Sequence, residues 1–540
     1  MSNYPHLFEP FDIYPLRLKN RITMAPLFTM YAADDGTVSK LTLAHYRELA
    51  QGGAAMIVVA NAAVDPDGSL SGRSLRADDD RFLAGLSQLA ETIKQAGAAA
   101  VLQINHGGRF SRGKVILAPS IVALSDISIG GLYRTALKSM DMQQQMSFLS
   151  EVIQHRSQRL KRMTKKDIQR IIAAYAAAAL RAKKAGFDMV EIHGGTGYLP
   201  VQFLSRRTNK RRDRYGGTLE NRMRFALELV AAVKQAVGSE FPVGYRFQAD
   251  EWLPEGFSLE EAKVFAQRIS TRGIAYLSVT GGGYESFSNK ETVEKMHQPC
   301  YMVYLAEQIK TVTAVAVIAS GLIVTPALAE KVLSKKKADL IGLARPLLAD
   351  PQWPQKALAA EADTIIRCDD CGTCLKRILT GQPVLCSKWD LAKLIQRKFT
   401  FKEMQKPNRK ILIAMDGSDN AVLGAAYAGE MLANRTDVSI TLIHIQTEES
   451  AQYEKEIRQI MNSAKNILIK AGISESAITI FFRKKKAGIA RDLLEEIAAN
   501  NYGTVIVGRR GLSRTQQFLF GSVSNKIVQN AKGCTVWVVD

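Results

Sequence analysis

The chain has 540 residues, more than one ordinary domain needs, so two or three domains are expected. Apolar residues make up 46% and charged residues 23%, a globular balance, and no apolar run reaches the roughly 18–20 residues of a membrane helix. The net charge of +20 comes with neither a zinc-finger nor an RNP motif and with only 7% aromatics, so nucleic acid is not the expected partner. The charge reads instead as a solvated basic face that helps attract phosphorylated small molecules. The opening MSNYPHLFEPFDIYPLRLKN has no charged stretch followed by an apolar one, so no secretory signal is read and a cytoplasmic location is expected. Six cysteines stand at 300, 368, 371, 374, 386 and 534, and in that compartment their crowding suits metal or redox chemistry rather than disulfides.

In chain order, short apolar runs recur at 20–27, 54–64, 98–106, 188–195, 242–248, 275–282, 314–321 and 338–345. Each predicts a strand buried on both faces, as parallel sheets require. Amphipathic segments at 166–185, 220–237, 259–271 and 301–312 predict helices between them. Eight strands alternating with helices predict an α/β chain whose first part, 1–360, is a (β/α)8 TIM barrel. Residues 121–162 are an insertion after the third strand, with a helical part near 139–160.

Function in such a barrel belongs at the carboxyl ends of the strands. Those ends carry Pro26, Asn61, Gln103, His106, His193, Arg246, Gly281, Gly321 and Arg345, a set suited to a phosphate-bearing ligand. The stretch EIHGGTGYLPVQFLS at 191–205 sets His193 and Tyr198 at such an end, either as packing residues or as a polar pair aimed at a ligand.

A cysteine-rich segment, 361–395, follows. RCDDCGTCLKRILTGQPVLC reads C-x2-C-x2-C-x11-C through Cys368, Cys371, Cys374 and Cys386. Four thiolates suit an iron–sulfur cluster and equally a zinc site. A linker, 396–408, leads to a second domain, 409–540. Its predicted strands are 410–418, 439–445, 478–482, 502–508 and 534–540, with helices at 419–433, 450–471 and 487–500. This alternation predicts a small doubly wound, Rossmann-like α/β domain.

LKNRITMAP (18–26), QINHGGR (103–109), APS (118–120), AGFDMVEIHGGTGYLPVQFLS (185–205), TNKRRDRYGGTLENRMRF (208–225) and LARPLLADPQWPQK (343–356) occur in order across the barrel. In these the chain resembles the Old Yellow Enzyme family of FMN-dependent NAD(P)H oxidoreductases. The resemblance implies that Ser320, Gly321, Ala344 and Arg345 hold the FMN phosphate, with Ala344 where the family usually has glycine. It implies that Gln103 bonds the isoalloxazine edge, that Arg246 stands near flavin N1, that Pro26 and Asn61 line the ring and that Thr29 bonds its O4. In the family a histidine and a second histidine or asparagine polarise the substrate carbonyl, and a tyrosine protonates the α-carbon. Here those positions hold His193, Thr196 and Tyr198, and the threonine hydroxyl offers one donor of shorter reach.

Larger relatives of that family, resembling 2,4-dienoyl-CoA reductase and trimethylamine dehydrogenase, carry a 4Fe–4S cluster at C-x2-C-x3-C-x11-C. The middle interval here is one residue shorter, and Glu285 holds the position of the acyl-CoA reductases' histidine.

The second domain resembles universal stress proteins. GRRGLSRTQQFLFGS (508–522) reads G-x2-G-x9-G-S, the mark of nucleotide-binding members, and MDGSDNA supplies Asp416. The resemblance implies ATP or AMP held by Asp416, Gly508, Gly511, Gly521 and Ser522, and dimerisation through this domain.

The leading expectation is therefore an enzyme that takes hydride from NAD(P)H and reduces an activated C=C bond in a small-molecule substrate, with the second domain as regulator. The alternatives are an iron–sulfur amine dehydrogenase or demethylase, and a non-catalytic redox or energy sensor.

Overall fold

The computed structural model describes residues 3–121, 159–404, 409–433, 435, 438–447, 450–500, 502–509, 522–531 and 534–539. Contacts divide the chain into two units, Met1–Met404 and Gln405–Asp540.

The first unit is built on eight parallel strands: β1 (Ile22–Met24), β2 (Met56–Ala63), β3 (Ala99–Asn105), β4 (Met189–Gly194), β5 (Val243–Asp250), β6 (Tyr276–Gly281), β7 (Ala316–Ala319) and β8 (Leu340–Leu343). Each pairs with its neighbour in the chain, and β1 pairs with both β2 and β8, which closes the barrel expected from the sequence. The strands are continuous apolar runs because both faces are covered; all eight residues of β2 are buried. A helix follows each strand: α1 (Lys40–Gln51), α2 (Leu83–Gln95), α3 (Lys165–Lys184), α4 (Leu219–Val237), α5 (Leu259–Ser270), α6 (Val303–Lys310), α7 (Pro326–Ser334) and α8 (Trp353–Leu358).

Local chemistry starts these helices. Thr164 and Asp167 form a reciprocal capping box at α3, and Ser39, Thr218, Ser258 and Thr325 cap α1, α4, α5 and α7. At the amino-terminal end of the barrel, the hairpin Phe11–Ile13/Leu16–Leu18 packs Ile13 and Leu18 among the first residues of four strands, Met56, Met189, Tyr276 and Leu340. That end is closed by apolar side chains, which leaves the carboxyl end for chemistry.

Residues 159–162 of the insertion form a strand parallel to Val115–Ala118. Residues 122–158, and with them nearly all of the expected helical part, lie outside the described residues. The cysteine segment packs on the barrel. Tyr31 donates to Val384 O at 2.6 Å, Trp389 Nε1 donates to Leu348 O at 2.7 Å, and Val384, Cys386 and Trp389 share a buried cluster with Tyr31 and Leu41. A helix, Leu391–Met404, then occupies much of the stretch expected as linker, with Arg397 on Glu48 at 2.7 Å.

The second unit is a five-stranded parallel sheet of β9 (Lys410–Ala414), β10 (Ser439–Gln446), β11 (Ile478–Lys484), β12 (Thr504–Gly508) and β13 (Thr535–Val539), in the order β11-β10-β9-β12-β13. Helices α9 (Asp419–Met431), α10 (Ala451–Lys470), α11 (Ile489–Asn500) and α12 (Ser522–Asn530) accompany it. Two separate apolar clusters, one on each face, make the sheet doubly wound.

One packing detail sets up the site. A Cβ on Gly244 would lie 2.1 Å from Tyr276 Cζ, so β5 must carry glycine there for the Tyr276 ring to cross the barrel. Gly244→Ala should cost about 1–3 kcal/mol of barrel stability through overpacking, read from the shift of the barrel's unfolding transition.

Candidate functional site

The inward face of a strand recurs every second residue, so neighbouring strands stack their inward residues in layers. Gln103 stands beside Glu191, and Arg246 stands beside both His193 and Ser278. The fully buried Glu191 carboxylate accepts from Gln103 Nε2 at 2.7 Å and from the Tyr276 hydroxyl at 3.0 Å. Arg246 donates to Ser278 Oγ at 2.7 Å. Burial raises the Glu191 pKa and lowers that of Arg246, and the attraction between the two charges opposes both shifts. Gln103 is thereby tied by its amide NH2, which leaves its carbonyl oxygen as an acceptor for a ligand N–H.

His193 stands beside Arg246, and Tyr198 follows it in the loop that leaves β4. The Gly195 N–H donates to His193 Nδ1 at 3.3 Å, so the ring's proton sits on Nε2. Burial, and then the Arg246 charge, push the His193 pKa well below the ordinary range, so the ring is a neutral donor. Tyr198 packs edge-on against it at 4.7 Å between centroids, and its hydroxyl lies 2.8 Å from the Tyr284 hydroxyl. Burial and then Tyr284 raise the Tyr198 pKa well above the usual value, so the phenol stays protonated. Thr196 sits between them at φ +57°, a left-handed conformation that costs a β-branched residue energy, and its N–H donates to Gln248 Oε1 at 2.7 Å.

The remaining predicted residues are placed around the same end. Pro26 follows β1, and Thr29 and Asn61 are buried beyond β1 and within β2. Ser320 Oγ donates to Val279 O at 3.3 Å, and Gly321 has φ +109° where a Cβ would meet Met302 N at 2.9 Å. Ala344 is the residue before the helix Arg345–Ala349. Arg345 is paired with Asp370 of the cysteine segment, and Asp370 also meets His297 Nδ1 at 2.5 Å. The donor set of an inner amide, a half-buried guanidinium, strand-end N–H groups after β7 and β8 and Arg345 fits a flat, phosphorylated ligand with a hydrogen-bonding edge.

Cys368, Cys371, Cys374 and Cys386 all line one pocket with Arg345. Cys371 Sγ contacts Ser387 Oγ at 3.0 Å and Thr373 Oγ1 at 3.3 Å. Among the described residues no three His, Cys, Asp or Glu side chains stand in ligating geometry. In the second unit, Asp416, Gly508 and Ser522 line one cavity of about 270 Å3 at the carboxyl ends of β9, β10 and β12. That is the switch point of the sheet order, where such folds bind ligands. Asp416 Oδ1 accepts from Ser418 Oγ at 2.6 Å, and His444 Nε2, in the same cavity wall, has no hydrogen-bond partner among the described residues. Gly511 and Gly521 lie outside the described residues.

The profile of the NADH:flavin oxidoreductase / NADH oxidase family matches residues 6–363. The chain belongs to that family. The universal stress protein family profile matches residues 407–540, so the chain joins a barrel of the first family to a domain of the second. An NADH oxidase of Thermoanaerobacter brockii is 35% identical over 434 residues, 80% of this chain and 62% of that protein. A metal reductase of Desulforamulus reducens is 39% identical over 381 residues, 70% of this chain and 53% of that protein. The chain thus spans between half and two thirds of the length of these family relatives. Among solved structures, morphinone reductase in complex with tetrahydroNAD is 26% identical with a TM-score of 0.51, over 66% of this chain and 92% of that one.

Sequence reasoning missed Glu191, Tyr276, Tyr284, Gln248 and Asp370. Glu191 carried a signal: it is two residues before His193 and so shares its inward face. Tyr284 follows the end of β6, but nothing in GGGYES marks it as a partner of Tyr198.

Beside the tyrosines, a cavity is lined by Arg109, Phe110, Glu251, Tyr284 and Glu285. Burial, with a further push from Glu285, raises the Glu251 pKa from 4.5 to about 7. A carboxyl whose folded pKa lies above its unfolded one adds stability that is complete at low pH and is lost as pH rises through the folded pKa. Between about pH 4.5 and pH 8 Glu251 should therefore cost the barrel up to roughly 3 kcal/mol. Glu251→Gln should remove that part of the decline, measured as the difference in barrel thermal midpoint across this pH range.

Proposed function

We propose that the barrel is an FMN-dependent NAD(P)H oxidoreductase that reduces an activated C=C bond in an α,β-unsaturated carbonyl or related compound. The observation that carries this reading is the packing of Tyr198 against His193, which stands beside Arg246 at the barrel end where Gln103 and Glu191 pair. Family membership and the likeness to morphinone reductase support it.

In this reading the N–H groups of Gly321 and Ala344, with Ser320 and Arg345, hold the phosphate. Gln103 reads the ring edge, Arg246 places positive charge beside it, and Pro26, Thr29 and Asn61 line it. FMN, when bound, supplies hydride exchange with NAD(P)H and with the substrate. The chain's own residues supply the rest. His193 donates from Nε2 to the substrate carbonyl oxygen, which polarises the conjugated bond. The Thr196 hydroxyl is the second candidate donor, with its backbone locked by Gln248. Tyr198 protonates the α-carbon, a role its raised pKa suits because the phenol keeps its proton until a strong base forms beside it. Tyr198→Phe should lower enone turnover by about 10²–10⁴-fold while NAD(P)H still bleaches the flavin at the wild-type rate. Equal enone turnover in stopped flow would sink the proton-donor role.

The second unit is proposed to bind ATP or AMP in the cavity of Asp416, Gly508 and Ser522, with Gly511 and Gly521 completing the loop, and to regulate the barrel, in a homodimer formed through this domain. Asp416→Ala should weaken ATP binding by tenfold or more in calorimetry; unchanged affinity would remove Asp416 from the site. The cysteine pocket remains a candidate 4Fe–4S or zinc ligand set, decided by assaying iron and zinc in protein purified without oxygen.

A further inference from the structure

We propose that Tyr284 completes a two-tyrosine proton relay, passing a proton from solvent to Tyr198 as Tyr198 gives its own to the substrate. The inference rests on the reading of Tyr198 as proton donor and goes beyond it.

Tyr198 is 4% exposed, so bulk water does not reach its phenol freely. Among the described residues its hydroxyl has one neighbour in hydrogen-bond contact, the Tyr284 hydroxyl at 2.8 Å. Tyr284 is less buried than Tyr198, and it lines a cavity whose wall also includes the side chains of Arg109, Glu251 and Glu285. Its ring is seated against Phe110, at 4.7 Å between centroids, and lies 5.9 Å from the Tyr198 ring. Tyr284 thus bridges an enclosed donor and a cavity with charged walls.

The chemistry requires such a bridge. A proton given to the substrate's α-carbon leaves a phenolate on Tyr198 in a site where burial disfavours charge. The Tyr284 O–H is positioned to pass its proton across the 2.8 Å contact to the Tyr198 oxygen. The Tyr284 oxygen then takes a proton from water in the cavity. The balance is one proton moved from solvent to the substrate carbon, one O–H bond broken and one formed at each tyrosine, and no electrons transferred. Tyr284 touches no reacting atom, so it is a positioning and relay residue.

The test uses the full chain loaded with FMN, NADH as reductant and 2-cyclohexen-1-one as probe, with the two half-reactions followed separately in H2O, D2O and mixtures. Tyr284→Phe should leave flavin reduction by NADH unchanged and slow flavin reoxidation by the enone by about 10–100-fold. Its dependence on deuterium fraction should change from curved, with two protons in flight, to linear, with one. Tyr284→His, which keeps a protic side chain, should recover much of the lost rate. A Tyr284→Phe enzyme with wild-type reoxidation and the same curvature, while Tyr198→Phe is slow, would overturn the relay and leave the donor in place. Wild-type reoxidation in Tyr198→Phe itself, or no turnover of the probe by the unmutated chain, would overturn the reading on which the relay rests. If Tyr284→Phe failed to hold FMN, the unmutated chain would decide: a linear dependence of its reoxidation on deuterium fraction, one proton in flight, would sink the proposal, and a curved one would support it.

Discussion

A single buried carboxylate organises the barrel's centre. Glu191 has no access to water, and an isolated charge there would be costly. It is tolerated because Gln103 and Tyr276 donate to it and Arg246 offsets its charge. The dependence runs outward from this point. Glu191 orients the Gln103 amide, and burial, helped by Arg246 beside it, keeps His193 neutral. Removing either charge would leave the other buried and unpaired, which costs more than the pair itself contributes. Glycine at 244 lets Tyr276 reach across to join the network.

Above this layer the site is made from strand ends and the loops that leave them. The geometry separates two duties. His193 offers a neutral N–H and Tyr198 a phenol that resists ionisation, and each is set by burial more than by any one charge. Thr196 lies between them in a strained left-handed conformation, held by Gln248 from the next strand and bridged to Gly283. Strain retained at such a place, where the surrounding contacts over-determine the backbone, is a common mark of a functional loop.

The cysteine segment belongs to the barrel by packing. Tyr31 and Leu348 of the barrel hold its Val384 and Trp389 through buried hydrogen bonds, and Asp370 reaches Arg345 at the end of β8. A change at the cysteines is therefore one ion pair away from the cation proposed for the phosphate. In the second unit the topology alone creates a crevice between β9 and β12, where the chain leaves the sheet in opposite directions, and Asp416 and Gly508 fall at its rim.

The sequence by itself determined the two folds. Parallel strands buried on both faces read as apolar runs, and all eight runs of the barrel and all five of the second unit are strands. The motif stretches also carried His193, Tyr198 and Gln103, and the resemblance they support pointed to Arg246 at the end of the fifth strand. Tertiary structure alone decided which residues from different strands meet. Glu191 with Tyr276, Tyr198 with Tyr284 and Arg345 with Asp370 are 85, 86 and 25 residues apart. Their meeting depends on strand register and loop path, and no local pattern encodes either. The protonation states followed the same division: residue type sets the ordinary pKa, but burial by distant segments moves it.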